Sequence, residues 1–193
     1  MFLLFIYISL GRIIHMIHFN LRLFLNYKKI TDKFIPDIIL VGGITPLDFY
    51  VSKIIAKRNH AKIIYEVGDL CPLTPIELGG LSPKHPFIKI MQFAENYAYK
   101  NTDAVVSLLP CAEQYMGKHG LASGKFYYIP NGVVEADWKN KEKLSENHSN
   151  LIRQLKSENK TIVGYVGAHG IINSLKLLID AVLKLKDKNI VLY

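Results

Sequence analysis

Cysteine is scarce in this 193-residue chain: only Cys71 and Cys111 are present, far apart and in no C-x-x-C spacing. That excludes a disulfide framework and a structural zinc site, and it fits a reducing, cytoplasmic setting. The seven histidines fall in no H-E-x-x-H or similarly tight pattern, so no metal is expected. No serine lies in a G-x-S-x-G elbow and no P-loop occurs, which removes the usual hydrolase reading. Gly42-Gly43 after the first predicted strand does not supply a G-x-G-x-x-G fingerprint, which removes a nucleotide-sugar epimerase or dehydrogenase. With 13 Gly and 8 Pro, the chain is neither collagen-like nor of low complexity.

What is present is core material: half the residues are hydrophobic, with 9 Phe and 11 Tyr among them. Disorder is excluded by that composition, and the length suits one large domain or parts of two. The net charge of +8 is uneven, since residues 1–60 hold eight Lys or Arg against three Asp. The lysines are otherwise scattered and no nucleic-acid module appears, so no nucleic-acid partner is expected. Met1 to Leu10 is apolar except for Ser9, but Arg12, His15, His18, Asn20 and Arg22 then interrupt the run. It falls short of the roughly 18 residues a spanning helix needs, and it lacks the leading charge and cleavage site of a signal peptide. Two readings of this end stay open. One is a buried first helix. The other is a helix lying on an anionic membrane surface, with Arg12, Arg22, Lys28, Lys29 and Lys33 near the headgroups.

From 13 to 29 the residues Ile14, Ile17, Leu21, Phe24 and Leu25 recur at helical spacing. The run 37–42 is continuously apolar, as in a strand covered on both faces. A helix over 46–59, a strand over 62–67, a loop over 68–84 and a helix over 86–100 follow. That helix places Phe87, Ile90, Met91, Ala94 and Ala98 on one face. A strand at 103–107, a helix at 112–119 and a strand at 125–129 complete the series. Such alternation implies right-handed crossovers and a doubly wound parallel sheet, class α/β. Residues 135–160 are polar and read as a linker with a surface helix. A strand over 161–166, a turn at 167–170, a helix over 172–185 and a strand from 189 open a second βα unit. The expected division is therefore 1–134, 135–160 and 161–193.

Two segments can carry chemistry. Gly167-Ala168-His169-Gly170 lies between a strand and a helix start, where backbone N–H groups form an anion site and glycine admits a phosphate. It also fits an ordinary turn, with His169 either a donor to the ligand or a cap. The loop from Glu66 to Gly80 sets Glu66, Asp69 and Glu77 just past the C-terminal end of a strand, the edge at which open α/β sheets bind ligands. A carboxylate there accepts hydrogen bonds from sugar hydroxyls or removes a proton from an attacking one. A helix cap or a salt bridge is the alternative for each, and Asp69, in the loop proper, is the best catalytic candidate.

The ordered set Pro36-Asp-Ile-Ile-Leu40, Tyr65-Glu-Val-Gly-Asp-Leu-Cys-Pro72, Ile76-Glu-Leu-Gly79, Ala94-Glu-Asn-Tyr-Ala-Tyr-Lys100, Thr102-Asp-Ala-Val-Val106, Tyr128-Ile-Pro-Asn-Gly-Val133 and Tyr165-Val-Gly-Ala-His-Gly170 resembles the family 4 retaining glycosyltransferases of GT-B fold. It is most similar to the bacterial branch that builds capsule, O-antigen and other envelope polysaccharides. The resemblance implies a partial Rossmann-like N-terminal, acceptor-side domain followed by the start of a donor-binding one. It also implies transfer of a sugar from a nucleotide-sugar to a lipid-linked or oligosaccharide acceptor at the inner membrane face, with no obligatory metal and no cofactor. Gly167, Ala168, His169 and Gly170 would lie against the donor diphosphate, and the Asp69 segment would face the acceptor. Two departures stand out: Gly68 where the branch carries a bulky or basic residue, and Cys71 where it carries tryptophan. The chain is about half the family's length, so the expectation is a fragment, inactive alone, that works with a C-terminal partner chain. The alternative is a non-catalytic, membrane-associated binding module.

Overall fold

The computed structural model describes residues 10–42, 45–139, 142–169, 173–185 and 189–193. They form two compact units, 1–132 and 133–193, each described by itself. In the first unit α1 (Leu10–Thr31) precedes β1 (Ile38–Gly42), α2 (Asp48–Arg58), β2 (Lys62–Val67), α3 (Leu73–Glu77), α4 (Pro86–Asn101), β3 (Ala104–Ser107), α5 (Glu113–Lys118) and β4 (Phe126–Tyr128). The four strands are parallel and lie in chain order β1-β2-β3-β4, with Val41, Tyr65, Val105 and Phe126 in register. This is the parallel, Rossmann-like α/β class expected from the alternating pattern. Residues 1–9, whose apolar run was read from the sequence, lie outside the described residues.

Strand order equal to chain order has a consequence for the helices. Right-handed crossovers that all advance in one direction place α2, α4 and α5 on one face of the sheet. There Val41, Ile63, Tyr65, Val67 and Val105 pack against Phe49 and Ala56, Ala98 and Tyr99, and Ala112 and Met116. Phe49 is fully buried, with its ring edge-on to Tyr65 at 5.5 Å and to Tyr97 at 6.2 Å. On the opposite face Ile38 and Leu40 are 59% and 62% exposed. The run 37–42, read as a strand covered on both faces, thus keeps only Val41 buried.

The helix caps follow local chemistry. Pro86 opens α4 at a position whose N–H would go unused, and His85 Nδ1 accepts from the Phe87 N–H at 3.2 Å. Thr102 Oγ1 lies 2.6 Å from the Ala104 carbonyl and 3.0 Å from that of Ile63, its one proton shared between them. Asp103 Oδ2 accepts from the Ile63 N–H at 2.9 Å, and that bond is the main reason its carboxyl is held below the usual range. These contacts lock the starts of β2 and β3 together.

On α4, Met91, Ala94 and Ala98 of the expected face are inward, and the rest of that face is shifted by part of a turn. The inward face of α4 is Ile88, Met91, Ala94, Glu95, Ala98 and Tyr99, while Ile90 is exposed. In α1 the inward row is Ile13, Met16, Asn20, Leu23 and Tyr27, and the apolar row at 14, 17, 21, 24 and 25 is exposed. The row read from the sequence at helical spacing is thus the outer one, and α1 is buried only along the other. Specific contacts set the register: Asn20 Nδ2 donates to Asp48 Oδ1 at 2.7 Å, and Arg58 lies over the Tyr27 ring at 5.1 Å. The 68–84 loop contains α3, which the sequence pattern did not reveal.

The second unit holds α6 (Glu135–Lys139), α7 (Glu146–Ser157), β5 (Thr161–Val163), α8 (Leu175–Leu185) and β6 (Ile190–Leu192). β5 and β6 pair in parallel, Thr161 beside Ile190. β5 ends at Val163, three residues short of the expected 166, although the Tyr165 N–H still donates to the Tyr193 carbonyl at 3.1 Å.

Replacing a fully buried ring leaves a cavity whose lining cannot close completely. Phe49→Ala is expected to destabilise the first unit by about 3–5 kcal/mol, read as a fall in the urea midpoint at unchanged m-value.

Candidate functional site

Parallel strands gather their C-terminal ends on one edge, here at Gly42, Val67 and Ser107. Ser107 Oγ donates to the Val67 carbonyl at 2.7 Å and accepts from the Leu109 N–H at 3.1 Å, so one hydroxyl ties β2 to the turn leaving β3. Glu66 lies across Gly42: a Cβ on that glycine would stand 2.6 Å from Glu66 Oε2. A side chain at 42 would move the tip of this exposed carboxylate aside. Asp69 follows in the exposed bend, and Glu77 closes α3. Gly79 allows the turn after α3, since a Cβ there would meet the Pro75 carbonyl at 2.5 Å.

All three carboxylates, Glu66, Asp69 and Glu77, are exposed on the connection that leaves this edge. Among the described residues none accepts a hydrogen bond or pairs with a cation, so the fold uses none of them as a cap or salt bridge. Cys71 is different. Burial, then the charges of Glu95 and Asp69, push its thiol up to about 12, which makes it an inert packing group rather than a nucleophile.

The second candidate segment lies in the other unit. Tyr165 Oη donates to the Ala168 carbonyl at 3.1 Å, and Asn173 Nδ2 donates to the same oxygen at 2.5 Å. With that carbonyl turned toward Tyr165 and Asn173, the trans peptide directs the His169 N–H the opposite way. Gly167 has no room for a Cβ, which would sit 2.7 Å from Tyr165 Oη. Gly167, Ala168 and His169 are exposed, and the His169 ring lies 6.0 Å from that of Tyr165. The result is an exposed glycine turn braced by two side chains the sequence pattern did not single out. Gly170 lies outside the described residues.

Sequence reasoning also passed over Glu95, whose residue is 1% exposed. Tyr99 Oη donates to its Oε1 at 3.0 Å, and Tyr115 Oη (3.0 Å) and Gln92 Nε2 (2.9 Å) donate to Oε2. Desolvation pushes its carboxyl up to about 7, against the pull of those three donors. The overlooked signal was a glutamate spaced four residues from both Met91 and Tyr99, on the inward row of α4. On the outer side of α4 an open cleft is lined by Ile76, Pro83, Lys89, Gln92 and Phe93, with Gln92 bridging from it to Glu95. Among the described residues no group of three or more His, Cys, Asp or Glu is arranged to hold a metal ion.

No protein-family model matches this chain, and no curated protein matches it. The fold does have solved counterparts in Anabaena HepE. Its structure with UDP-glucose matches with a TM-score of 0.53, that with UDP with 0.56, and that with UDP and glucose with 0.53. Identity is 20% in each, and the match covers 79% of this chain and 38% of HepE. The likeness is one of fold, and the chain spans little more than a third of HepE.

The Glu95 carboxyl makes a signed prediction. Its folded-state value, about 7, lies above the ordinary 4.5, so the folded protein binds the proton more tightly than the unfolded chain. Stability from this group is complete below about pH 4.5 and is lost as pH rises through 7, by on the order of 3 kcal/mol. Urea titrations at pH 5 and pH 8 check it: Glu95→Gln should remove most of the difference.

Proposed function

We propose that this chain takes part in moving a sugar from a nucleotide-sugar donor to a growing glycan in surface polysaccharide synthesis, as part of a family 4 retaining glycosyltransferase. The observation that supports it best is that HepE, whose fold this chain shares, holds UDP-glucose, UDP, and UDP with glucose in three crystal structures. The last two groups are the pieces left when the bond between sugar and diphosphate breaks. The ordered run of sequence motifs from Pro36 to Gly170 supports the same reading.

In this proposal residues 1–134 form the acceptor-side domain, 135–160 a linker and 161–193 the start of the donor-binding domain. The braced turn at 167–169, with Gly170, receives the donor diphosphate through outward N–H groups. Asp69 orients the acceptor hydroxyl and takes its proton as that oxygen bonds to the anomeric carbon. The bond from that carbon to the diphosphate breaks with its electron pair on the departing phosphate oxygen, and the new bond forms on the face the phosphate leaves. Glu66 and Glu77 contact acceptor hydroxyls. The acceptor is a lipid-linked or oligosaccharide glycan presented at the inner face of the cell membrane from the cytoplasm. No metal is obligatory, and the remaining donor contacts belong to the part of the enzyme that these residues, little more than a third of HepE's length, do not span.

Calorimetric titration with UDP tests the reading on the chain itself. Saturable binding is expected, unchanged by EDTA and weakened about fivefold in Tyr165→Phe, the equivalent of one lost hydrogen bond of ~1 kcal/mol. Absence of saturable binding even with the rest of the enzyme present would remove the transferase reading and leave a non-catalytic binding module. With the rest of the enzyme present, Asp69→Asn should lower sugar transfer at least about 100-fold while UDP affinity stays at the wild-type value.

A further inference from the structure

Along α1 three rows of side chains differ in character, with Phe19 and Ile30 exposed on the remaining side. Ile13, Met16, Asn20, Leu23 and Tyr27 face inward, and the helix is fixed there by the Asn20–Asp48 and Tyr27–Arg58 contacts. Beside that row Ile14, Ile17, Leu21, Phe24 and Leu25 stand exposed, Leu25 at 67%. Ile14, Ile17, Leu21 and Phe24 follow one another at spacings of three and four, Leu25 lies one turn beyond Leu21, and the row ends at Lys28. Next to them runs a basic row of His15, His18, Arg22 and Lys29, also exposed. From Leu10 to Thr31 there is no Asp or Glu.

We propose that α1 is a docking helix for an anionic lipid surface. It lies in the plane of the interface, with the Ile14 to Leu25 row in the outer acyl layer and Arg22, Lys28 and Lys29 among the headgroups. Charge selects this occupant. An apolar partner protein needs no single sign of charge around the contact, and a second copy of the chain would set two basic rows against each other. A negatively charged bilayer is attracted by every cation on the helix and repelled by none. Among the described residues no helix is long and apolar enough to cross a membrane, so contact is from one side. Because α1 is held on α2, the lipid-facing row is presented in a fixed orientation. The proposal is independent of the sugar-transfer reading.

The test is sedimentation of the full chain with vesicles of phosphatidylcholine alone and with 30% phosphatidylglycerol added, without any nucleotide. Binding is expected to the anionic vesicles and to be much weaker to the neutral ones. Each lysine removed should weaken it about fivefold, so the double variant Lys28→Ala, Lys29→Ala loses about 25-fold. Leu21→Asp, at an exposed position, should abolish binding with the circular dichroism spectrum unchanged. Equal partition onto both vesicle types, or partition untouched by both variants, overturns the proposal. A chain that ignores vesicles but forms a dimer split by Leu21→Asp also overturns it and assigns the row to a second copy. Vesicle binding, with no UDP binding even when the rest of the enzyme is present, would keep the docking helix and remove the transferase reading.

Discussion

A parallel sheet whose strands follow chain order cannot place its right-handed crossovers on alternating sides, and most of this unit follows from that constraint. It collects α2, α4 and α5 over the row Val41, Tyr65, Val105, and so makes one dense core. It leaves Ile38 and Leu40 on a face that receives no crossover. It also brings the ends of β1, β2 and β3 to one edge, where Glu66 lies across Gly42 and the chain turns out through Asp69. The carboxylates of that edge are therefore placed by backbone topology, not by side-chain bonding. Their lack of structural partners among the described residues is what leaves them available to solvent and to a ligand.

Glu95 shows the opposite arrangement, a carboxyl placed by side chains in the middle of the core. An isolated buried charge is strongly disfavoured, and no cation faces this one among its hydrogen-bond partners. Three donors from α4 and α5 lower the penalty without cancelling it, which is why desolvation still dominates the direction of its shift. Burial first, and then the Glu95 charge, raise the thiol of Cys71 and the hydroxyls of Tyr65, Tyr99 and Tyr115, so neighbouring groups stay neutral around it. A charge held this way joins α5 to α4 through directional bonds where apolar contact alone would allow sliding.

The order of strands and helices was legible because each strand is a short apolar run closed by turn residues, as at 37–42 and 103–107. Faces were less legible. In α4 the inward row includes Glu95 and Tyr99, and a hydropathy pattern passes over both in favour of Ile90, which is exposed. The short α3 has no apolar periodicity and follows from the Pro72 to Glu77 turn geometry instead. At the site, Asp69 and the glycine turn could be singled out because residue type and place at a strand end suffice to suggest them. Tyr165 and Asn173 could not, because their role is to hold the Ala168 carbonyl, a contact that only the folded turn creates. Gly42 likewise carries no signal of the Glu66 carboxylate that lies across it.

α1 sets the limit of pattern reading most clearly. Its rows 13, 16, 20, 23, 27 and 14, 17, 21, 24, 25 both keep helical spacing, and the second is the more apolar. Hydropathy alone therefore turns the wrong row inward. The outcome is decided by Asn20 reaching Asp48 and by Arg58 covering Tyr27, contacts between elements far apart in sequence. Leaving five large apolar side chains in water is unfavourable by roughly 25 cal/mol for each Å² exposed. That row is thus a surface under pressure to be covered, and the charge beside it determines by what. With basic residues along one border, a lysine at its end and no acid on the helix, the free energy of covering it is lowest against a negatively charged apolar layer.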